Sequence, residues 1–234
     1  MRLLLISNST MAGEPYLDYP KYKIQEFLGK DIKKTLFIPF AGVGFSFDEY
    51  AQKVQERFTE IGYTVDPIHK YNNMLEAVEK AEAIVVGGGN TFNLLKLIQD
   101  NKLIEAIRKK VLEGTPYVGW SAGSNMACPT IKTTNDMPII EPQSFNALNL
   151  IKFQINPHYL DTNPDGHAGE TREQRLNEFL EVNQDIYVVG LREGCMIKIE
   201  GSSIILDGSK SMRIFHYAKE CFEVEPGDNL SFLL

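Results

Sequence analysis

Continuous apolar runs alternate along the chain with segments in which apolar residues recur about every 3.6 positions. The apolar runs predict strands that are covered on both faces, and they lie at 3–7, 35–42, 83–89, 116–120, 153–157 and 186–190. The helical spacing occurs at 48–62, 91–99, 103–114 and 172–183. This alternation predicts an α/β fold: a three-layer, doubly wound, mostly parallel sheet with helices on both faces.

The end of the chain has a different pattern. Residues 196–208 and 211–227 resemble short strands joined by Gly-Ser and Asp-Gly turns, which predicts a C-terminal antiparallel hairpin region at a sheet edge. We find no linker, repeat or low-complexity segment. The sequence therefore predicts a single α/β domain over residues 1–234.

Charge and cysteine content narrow the classes of partner. The 234 residues include 24 basic and 31 acidic side chains, and no basic block stands out, so we expect no nucleic-acid partner. Cys128, Cys195 and Cys221 are odd in number and widely spaced, as is typical of reduced thiols in a cytoplasmic protein. No apolar run is long enough for a signal-peptide core or a bilayer span, so we expect no membrane partner.

Ser121 lies where the strand 116–120 must turn into a helix. The sequence G-W-S-A-G fits the pattern G-x-S-x-G, in which flanking glycines permit a tight turn that presents a serine hydroxyl. The amide of Ala122 would then lie at a helix N-terminus and could donate to an oxyanion. Small residues also favour such turns for structural reasons, so the motif alone leaves both readings open.

A nucleophilic serine needs a base, and the chain has four histidines. His158 follows the strand 153–157, so we expect it at the same C-terminal sheet edge as Ser121, where open α/β sheets form their sites. His69 and His216 are expected at the surface and in the tail hairpin, and His167 in a polar loop. His158 is therefore the preferred base.

Glu193 follows the strand 186–190 and is the candidate for the carboxylate that orients the histidine. An exposed loop glutamate is the alternative reading, but Ser121, His158 and Glu193 each follow a predicted parallel strand. An α/β-hydrolase order would instead use His216 with Glu193 or Asp207, which places the base in a hairpin. We rank that order lower.

The predicted strand 83–89 ends in three glycines, Gly87, Gly88 and Gly89, and a predicted helix follows it. Free backbone amides at such a turn can bind an anion. The amide of Gly88 is the expected second donor to the oxyanion. Phe92 stands where a dinucleotide fingerprint needs its last glycine, so no nucleotide cofactor is predicted. The alternative role of the loop is a close turn without a ligand.

Seven short segments together resemble one family. They are SNST, VGGGNTFNLL, GWSAGSNM, TTNDMPIIEP, INPHY, GETREQR and GLREG, and they occur in order over nearly the whole chain. They resemble the alpha-aspartyl dipeptidase (peptidase E) family of serine peptidases, whose fold is related to class I glutamine amidotransferases. The resemblance implies cleavage of dipeptides with an N-terminal aspartate, with Ser121 as nucleophile, His158 as base and Glu193 as acid.

Aspartyl specificity would require a cation for the substrate's side-chain carboxylate, and Arg172 is the candidate. Thr171 and Gln174 predict a capping box, which places Arg172 in a first helical turn where a cation is unfavourable unless an anion binds. A solvated arginine near Glu173 or Glu178 is the alternative.

The substrate's ammonium group needs an acceptor as well, for which Asp136 is our hypothesis. Asn90 and Thr133 could add neutral hydrogen bonds. The expected partner is thus a small Asp-X dipeptide, with no metal and no other cofactor. An esterase or a hydrolase of another acidic or modified peptide is one alternative, and a non-enzymatic small-ligand-binding protein is another. The sequence leaves open whether the chain is a monomer or a homodimer.

Overall fold

The computed structural model describes residues 1–163, 166 and 168–234. Its larger sheet has seven strands: β1 (Arg2–Ile6), β2 (Lys34–Ile38), β3 (Thr64–Pro67), β4 (Ile84–Val86), β5 (Tyr117–Trp120), β8 (Cys195–Glu200) and β9 (Ser203–Gly208). They lie in the order β3-β2-β4-β5-β1-β8-β9. The first five in this order pair in parallel, whereas β8 and β9 pair antiparallel at the edge beside β1. The predicted mostly parallel sheet and its antiparallel hairpin are confirmed.

A second sheet contains four strands: β6 (Gln154–Tyr159), β7 (Val188–Arg192), β10 (Met212–Phe215) and β11 (Phe222–Val224). Their order is β11-β10-β7-β6, and only β6 and β7 are parallel to each other. The expectation that His158 lies on the same sheet as Ser121 is therefore wrong, because β6 pairs with β7 and, among the described residues, with no strand of the larger sheet. Both sheets contribute to one apolar core, which contains Ile155 and Val189 together with Leu3 and Leu5.

In the part of the chain that the structure describes, seven α-helices accompany the sheets: α1 (Lys21–Leu28), α2 (Phe47–Glu60), α3 (Met74–Lys80), α4 (Thr91–Asp100), α5 (Ile104–Leu112), α6 (Ala122–Ala127) and α7 (Arg172–Glu181). Within the described ranges, none is both long and apolar enough to cross a bilayer. Apolar side chains of α1 and α2 pack on one face of the larger sheet, and those of α3 to α6 pack on the other. Helices thus cover both faces, as the sequence predicts.

The strand β1 shows why both faces must be covered. Leu3 and Leu5 belong to the cluster on one face, while Leu4 and Ile6 belong to the cluster on the other. All four side chains are at most 2% exposed. Because successive side chains of a strand point to opposite faces, an uninterrupted apolar run needs a layer on each side.

Candidate active site

Ser121 occupies the one-residue junction between β5 and α6. Its backbone has φ 51° and ψ −112°, a conformation that non-glycine residues rarely adopt. The glycines on either side allow the close approach: a methyl group added at Gly123 would lie 2.2 Å from the Val86 carbonyl oxygen, and one at Gly119 would lie 2.4 Å from the Gly123 carbonyl oxygen. The G-x-S-x-G pattern is therefore a sterically required turn, with the serine at its apex.

His158 lies in β6 at a register irregularity between Pro157 and Tyr159. Its φ is +52°, which turns this one residue away from the regular strand. The ring Nε2 lies 3.0 Å from Ser121 Oγ, within hydrogen-bond distance. The bulge therefore aims an imidazole from the second sheet at the serine of the larger sheet.

Glu193 lies in the two-residue turn between β7 and β8, where the chain passes from the second sheet to the larger one. Its Oε1 lies 2.7 Å from His158 Nδ1. Both side chains are partly exposed, at 43% for Glu193 and 41% for His158. The three groups form a continuous hydrogen-bonded chain from carboxylate to imidazole to hydroxyl, which is the arrangement that activates a serine.

Two backbone amides adjoin the serine. Ala122 is the first residue of α6, so its N–H has no acceptor within the helix. A methyl group added at Gly88 would lie 3.1 Å from Ser121 Cβ, which places this glycine directly beside the nucleophile. Tyr50 donates a hydrogen bond from its hydroxyl to the Gly88 carbonyl at 2.8 Å and so fixes that peptide. No described residue accepts a hydrogen bond from the Gly88 amide.

A cleft of about 750 Å³ opens at Ser121. Its other lining residues are Ser9, Tyr16, Phe45, Glu49, Tyr50, Lys53, Gly88, Gly89, Asp136 and His158. The volume is within the usual range of small-molecule sites. Within residues 1–163, 166 and 168–234, no three His, Cys, Asp or Glu side chains are grouped as metal ligands.

A second cavity, of about 240 Å³, contains Arg172, Asp136 and Thr133. Arg172 is the first residue of α7, and the predicted capping box between Thr171 and Gln174 is present. Burial, together with the like charge of Arg175, lowers the pKa of the Arg172 guanidinium from its ordinary value. No carboxylate of a described residue lies within ion-pair distance of Arg172, so neither Glu173 nor Glu178 neutralises it.

Asp136 lines both the cleft and the Arg172 cavity and so lies where the two adjoin. Its Oδ2 accepts hydrogen bonds from the Thr91 amide at 2.7 Å and from the Thr91 hydroxyl at 2.5 Å. The Thr134 hydroxyl donates to the same oxygen at 3.1 Å. The Oδ2 atom of Asp136 is therefore bound at the start of α4. The other carboxylate oxygen, Oδ1, accepts no hydrogen bond from a described residue.

Asn90 and Thr133 have structural partners. The Asn90 side chain accepts from the Asn93 amide as the N-cap of α4 and donates to the Met137 carbonyl at 2.8 Å. The hydroxyl of Thr133, which is 3% exposed, donates to the Ile155 carbonyl at 2.8 Å. Both residues hold the walls of the site together, and Asn90 does not line either cavity.

The other histidines are not beside Ser121 or lie outside what can be described. His69 pairs with Asp48 at 2.7 Å on the 3-10 turn after β3. His216 follows β10 and bonds to the adjacent Tyr217 carbonyl at 3.2 Å. His167 lies outside the described residues.

Sequence reasoning missed several residues of the site. Ser7 and Asn8 contact the backbone beside His158 and Glu193, and their position directly after β1 was the available signal. Tyr16, Phe45 and Lys53 line the cleft from segments that carry no motif, so nothing local identifies them.

Comparisons with known proteins identify the family of this chain. The model of Peptidase family S51 matches residues 3–206. A Peptidase E from Nostoc sp. (strain PCC 7120) is 57% identical over 233 residues, which cover 100% of this chain and 96% of that protein. A Peptidase E from Salmonella arizonae is 45% identical over 227 residues, which cover 97% of this chain and 99% of that protein.

Two solved structures share the fold. A putative Peptidase E protein from Listeria monocytogenes EGD-e has a TM-score of 0.67 at 22% identity, covering 89% of this chain and 98% of that chain. A peptidase from an acI-B1 actinobacterium has a TM-score of 0.69 at 16% identity, covering 99% of this chain and 96% of that chain. At these identities the likeness concerns the fold alone.

Proposed function

Because this chain belongs to peptidase family S51, we propose that it is a serine dipeptidase that cleaves dipeptides with an N-terminal aspartate. The observation that carries the proposal is the chain of hydrogen bonds from Glu193 through His158 to Ser121, at the mouth of a cleft. The relatives named Peptidase E support the reaction class, since they match nearly the full length of the chain.

In the proposed reaction, His158 Nε2 takes the Ser121 proton as Oγ attacks the carbonyl carbon of the Asp-X bond. The tetrahedral oxyanion is held by the Gly88 and Ala122 amides, each of which contributes about 3–4 kcal/mol in comparable sites. Glu193 Oε1 accepts a hydrogen bond from the His158 Nδ1–H, which fixes the imidazole tautomer and stabilises the imidazolium.

The same imidazolium then completes the cleavage. His158 gives its proton to the leaving amine as the C–N bond breaks, and an aspartyl ester remains on Ser121 Oγ. A water molecule, deprotonated by His158, attacks this ester, and the proton returns to Ser121 as aspartic acid leaves. Proton donor and acceptor are thus the same ring nitrogen in both halves of the reaction.

Aspartyl specificity is assigned to the Arg172 cavity. A guanidinium can bind a carboxylate through two parallel hydrogen bonds, and this one has no carboxylate partner among the described residues. Asp136 lies between Arg172 and the cleft and is the proposed acceptor for the substrate's α-ammonium group. The side-chain carboxylate of an N-terminal aspartate would then pair with Arg172, and its α-ammonium group would pair with Asp136.

The test is the rate of Asp-Leu and Ala-Leu hydrolysis, with a chelator present, by wild type, Ser121→Ala and Arg172→Ala. Arg108→Ala is the matched control, because Arg108 lies on α5 and lines neither cavity. We expect wild type to cleave Asp-Leu far faster than Ala-Leu, Ser121→Ala to cleave neither, and Arg172→Ala to lose the preference for aspartate.

Each departure from that result has a separate meaning. An active wild type that does not prefer Asp-Leu would contradict the specificity but not serine catalysis. Wild type that cleaves no peptide or ester, and does not react with a serine-acylating reagent, would contradict the enzymatic function itself.

A further inference from the structure

The wall of the cleft formed by Tyr16, Phe45 and Tyr50 has no role in the function proposed so far. The rings pack in sequence, with centroids 5.4 Å apart for Phe45 and Tyr50 and 6.4 Å apart for Tyr50 and Tyr16. Phe45 remains 50% exposed at the mouth, although its ring is large and apolar. Together with the Gly88 carbonyl that Tyr50 binds, the rings form an aromatic surface directly beside the nucleophile.

A single lysine accompanies these rings. Lys53 lies on α2, and its Nζ is 4.2 Å from the centroid of the Tyr16 ring. It is the one lysine or arginine that lines this cleft within the described ranges, and no described carboxylate lies within ion-pair distance of it. Glu49, one turn earlier, is held toward the start of α2, because its Oε2 accepts hydrogen bonds from the Ser46 amide at 2.7 Å and the Ser46 hydroxyl at 2.8 Å.

The product that leaves first from a dipeptide has the complementary chemistry. It is a free amino acid, so its carboxylate lies one carbon beyond the amine that accepts a proton from His158. Asp136 and Arg172 are assigned to the aspartyl residue, which leaves the aromatic wall and Lys53 for the other residue. We propose that Lys53 binds the C-terminal carboxylate of the substrate and that Phe45 and Tyr16 contact the side chain of its second residue.

This inference rests on the proposed dipeptidase function and adds to it a preference for a free C-terminal acid. An exposed ion pair contributes little, so the expected effect on KM is about two- to fivefold. Salt at about 1 M should make this effect on KM smaller still, because exposed charges are screened within a few ångströms at that ionic strength.

The experiment compares Asp-Leu with Asp-Leu-amide, which has the same scissile bond but no terminal charge. We measure KM and kcat for wild type, for Lys53→Met and for Lys109→Met, a control on α5 outside the cleft. Lys53→Met should raise KM for Asp-Leu about two- to fivefold at low salt and leave the amide unchanged. Phe45→Ala should lower the ratio of kcat/KM for Asp-Leu to that for Asp-Gly.

The outcomes separate the two proposals. If wild type cleaves both compounds and Lys53→Met affects them equally or not at all, the Lys53 subsite is wrong and the dipeptidase function stands. If wild type cleaves neither compound, the dipeptidase function is wrong and the subsite fails with it.

A different observation concerns the residues behind the catalytic groups. Ser7 directly follows β1 and is fully buried. Its hydroxyl accepts a hydrogen bond from the His158 amide at 2.9 Å and donates one to the Leu191 carbonyl at 2.8 Å. One side chain at the end of a strand of the larger sheet therefore holds the backbone of both β6 and β7 in the second sheet.

Asn8 holds the backbone next to the carboxylate residue Glu193. Its Oδ1 accepts from the Gly194 amide at 2.9 Å and from the Tyr19 hydroxyl at 2.7 Å. Gly194 is the residue after Glu193, so this contact fixes the turn that presents the carboxylate. The geometry points to Ser7 and Asn8 as positioning residues that hold His158 and Glu193 in register with Ser121 without touching substrate.

The test measures kcat, KM and the urea midpoint for Ser7→Ala and Asn8→Ala. Thr35→Val is the matched control, because the buried Thr35 hydroxyl also donates to a backbone carbonyl, of Thr64, at the far end of β2. Both positioning variants should lose at least about tenfold in kcat with KM within about twofold, a loss expected when reacting groups are misplaced.

Unchanged kcat in a folded Ser7→Ala or Asn8→Ala protein would overturn the assignment. So would an equal loss of kcat in Thr35→Val, since it would show that any destabilisation has the same effect. If Ser7→Ala does not fold, Asn8→Ala decides alone.

Discussion

Ser121 and His158 share the same backbone irregularity across their 3.0 Å hydrogen bond: φ is +51° in the serine and +52° in the histidine. Each residue interrupts the end of a strand, one in the larger sheet and one in the second sheet. Left-handed φ values are unfavourable for both residue types and persist only where the surrounding structure holds them. The two reacting side chains are therefore oriented by backbone conformations that other residues must stabilise.

Replacing Ser121 by glycine should separate catalysis from stability. Ser121→Gly and Ser121→Ala both remove the hydroxyl and should both be inactive. Glycine has no Cβ and tolerates the conformation, so the Gly variant should be more stable than the Ala variant by about 1 kcal/mol. Urea denaturation of the two variants measures the difference, and equal stabilities would show that the junction carries no strain.

Asp136→Asn should weaken binding of the substrate's ammonium group without disturbing α4. An asparagine oxygen can still accept from the Thr91 amide, but the negative charge is lost. We expect KM for Asp-Leu to rise about tenfold, the size of a charged hydrogen bond, with little change in melting temperature. Asp136→Ala should raise KM as well and also lose about 1 kcal/mol of stability, because the Thr91 amide and hydroxyl at the start of α4 lose their acceptor.

An unchanged KM in Asp136→Asn would contradict the ammonium assignment. A melting temperature lowered equally in both Asp136 variants would contradict the separation of the two roles.

Arg192 should make stability depend on acid pH. Its guanidinium lies 2.5 Å from Asp161 and 2.8 Å from Glu223, and it lowers the pKa of both carboxyl groups below their ordinary values of 3.8 and 4.5. A carboxyl with a lowered folded-state pKa stabilises the fold above its unfolded pKa, and the contribution is lost as pH falls through the folded value. Because both carboxylates are partly exposed, the contribution at neutral pH is about 1 kcal/mol.

Arg192→Met should therefore unfold more easily than wild type at pH 7, by about that amount. The difference should shrink as pH falls below the ordinary carboxyl pKa values of 3.8 and 4.5, and it should be lost at an acid pH at which both carboxyls are protonated in both proteins. Urea titrations at the two pH values measure it. A difference of equal size at both would mean that packing of the arginine, rather than its charge, is responsible.

The thiols should be dispensable for hydrolysis. Burial raises the pKa of the Cys128 thiol to about 12 and also raises the pKa of the Cys195 thiol, so neither forms a thiolate near neutral pH. We expect iodoacetamide at pH 8 to leave both unmodified in the folded protein and to leave Asp-Leu hydrolysis intact, whereas a serine-acylating reagent stops it. Mass spectrometry after the reaction identifies the modified residues. Loss of activity that tracks alkylation of either cysteine would contradict a serine mechanism.

The central parallel strands could be predicted because each contains a run of consecutive apolar residues, which is typical of a strand covered on both faces. The edge strand β3 could not be predicted from its sequence, because only Val65 of its four residues is buried. The helices α1 and α3 are eight and seven residues long, too short for a clear helical period. The pattern of apolar and polar residues therefore predicts a strand whose side chains are all buried, and it fails for a strand whose side chains are only partly buried.

The division into two sheets was beyond local reasoning. The residues of β6 and β7 are nearly as buried as those of β5, and membership in a sheet depends on pairing partners distant in sequence. The grouping of Ser121, His158 and Glu193 was predicted because each follows or ends a strand. The contacts of Ser7 and Asn8 were not, because a hydroxyl or amide side chain reveals its partners only in the folded structure.

The central position of β1 constrains how the protein is made. Residues 2–6 lie between β5 and β8, so their neighbours in the sheet are residues 117–120 and 196–200. At about 5–20 residues per second, a ribosome needs roughly ten seconds or more to supply the later partner. During that time β1 exists without one of its two neighbours, so the sheet cannot close around this apolar strand until residue 200 has been made.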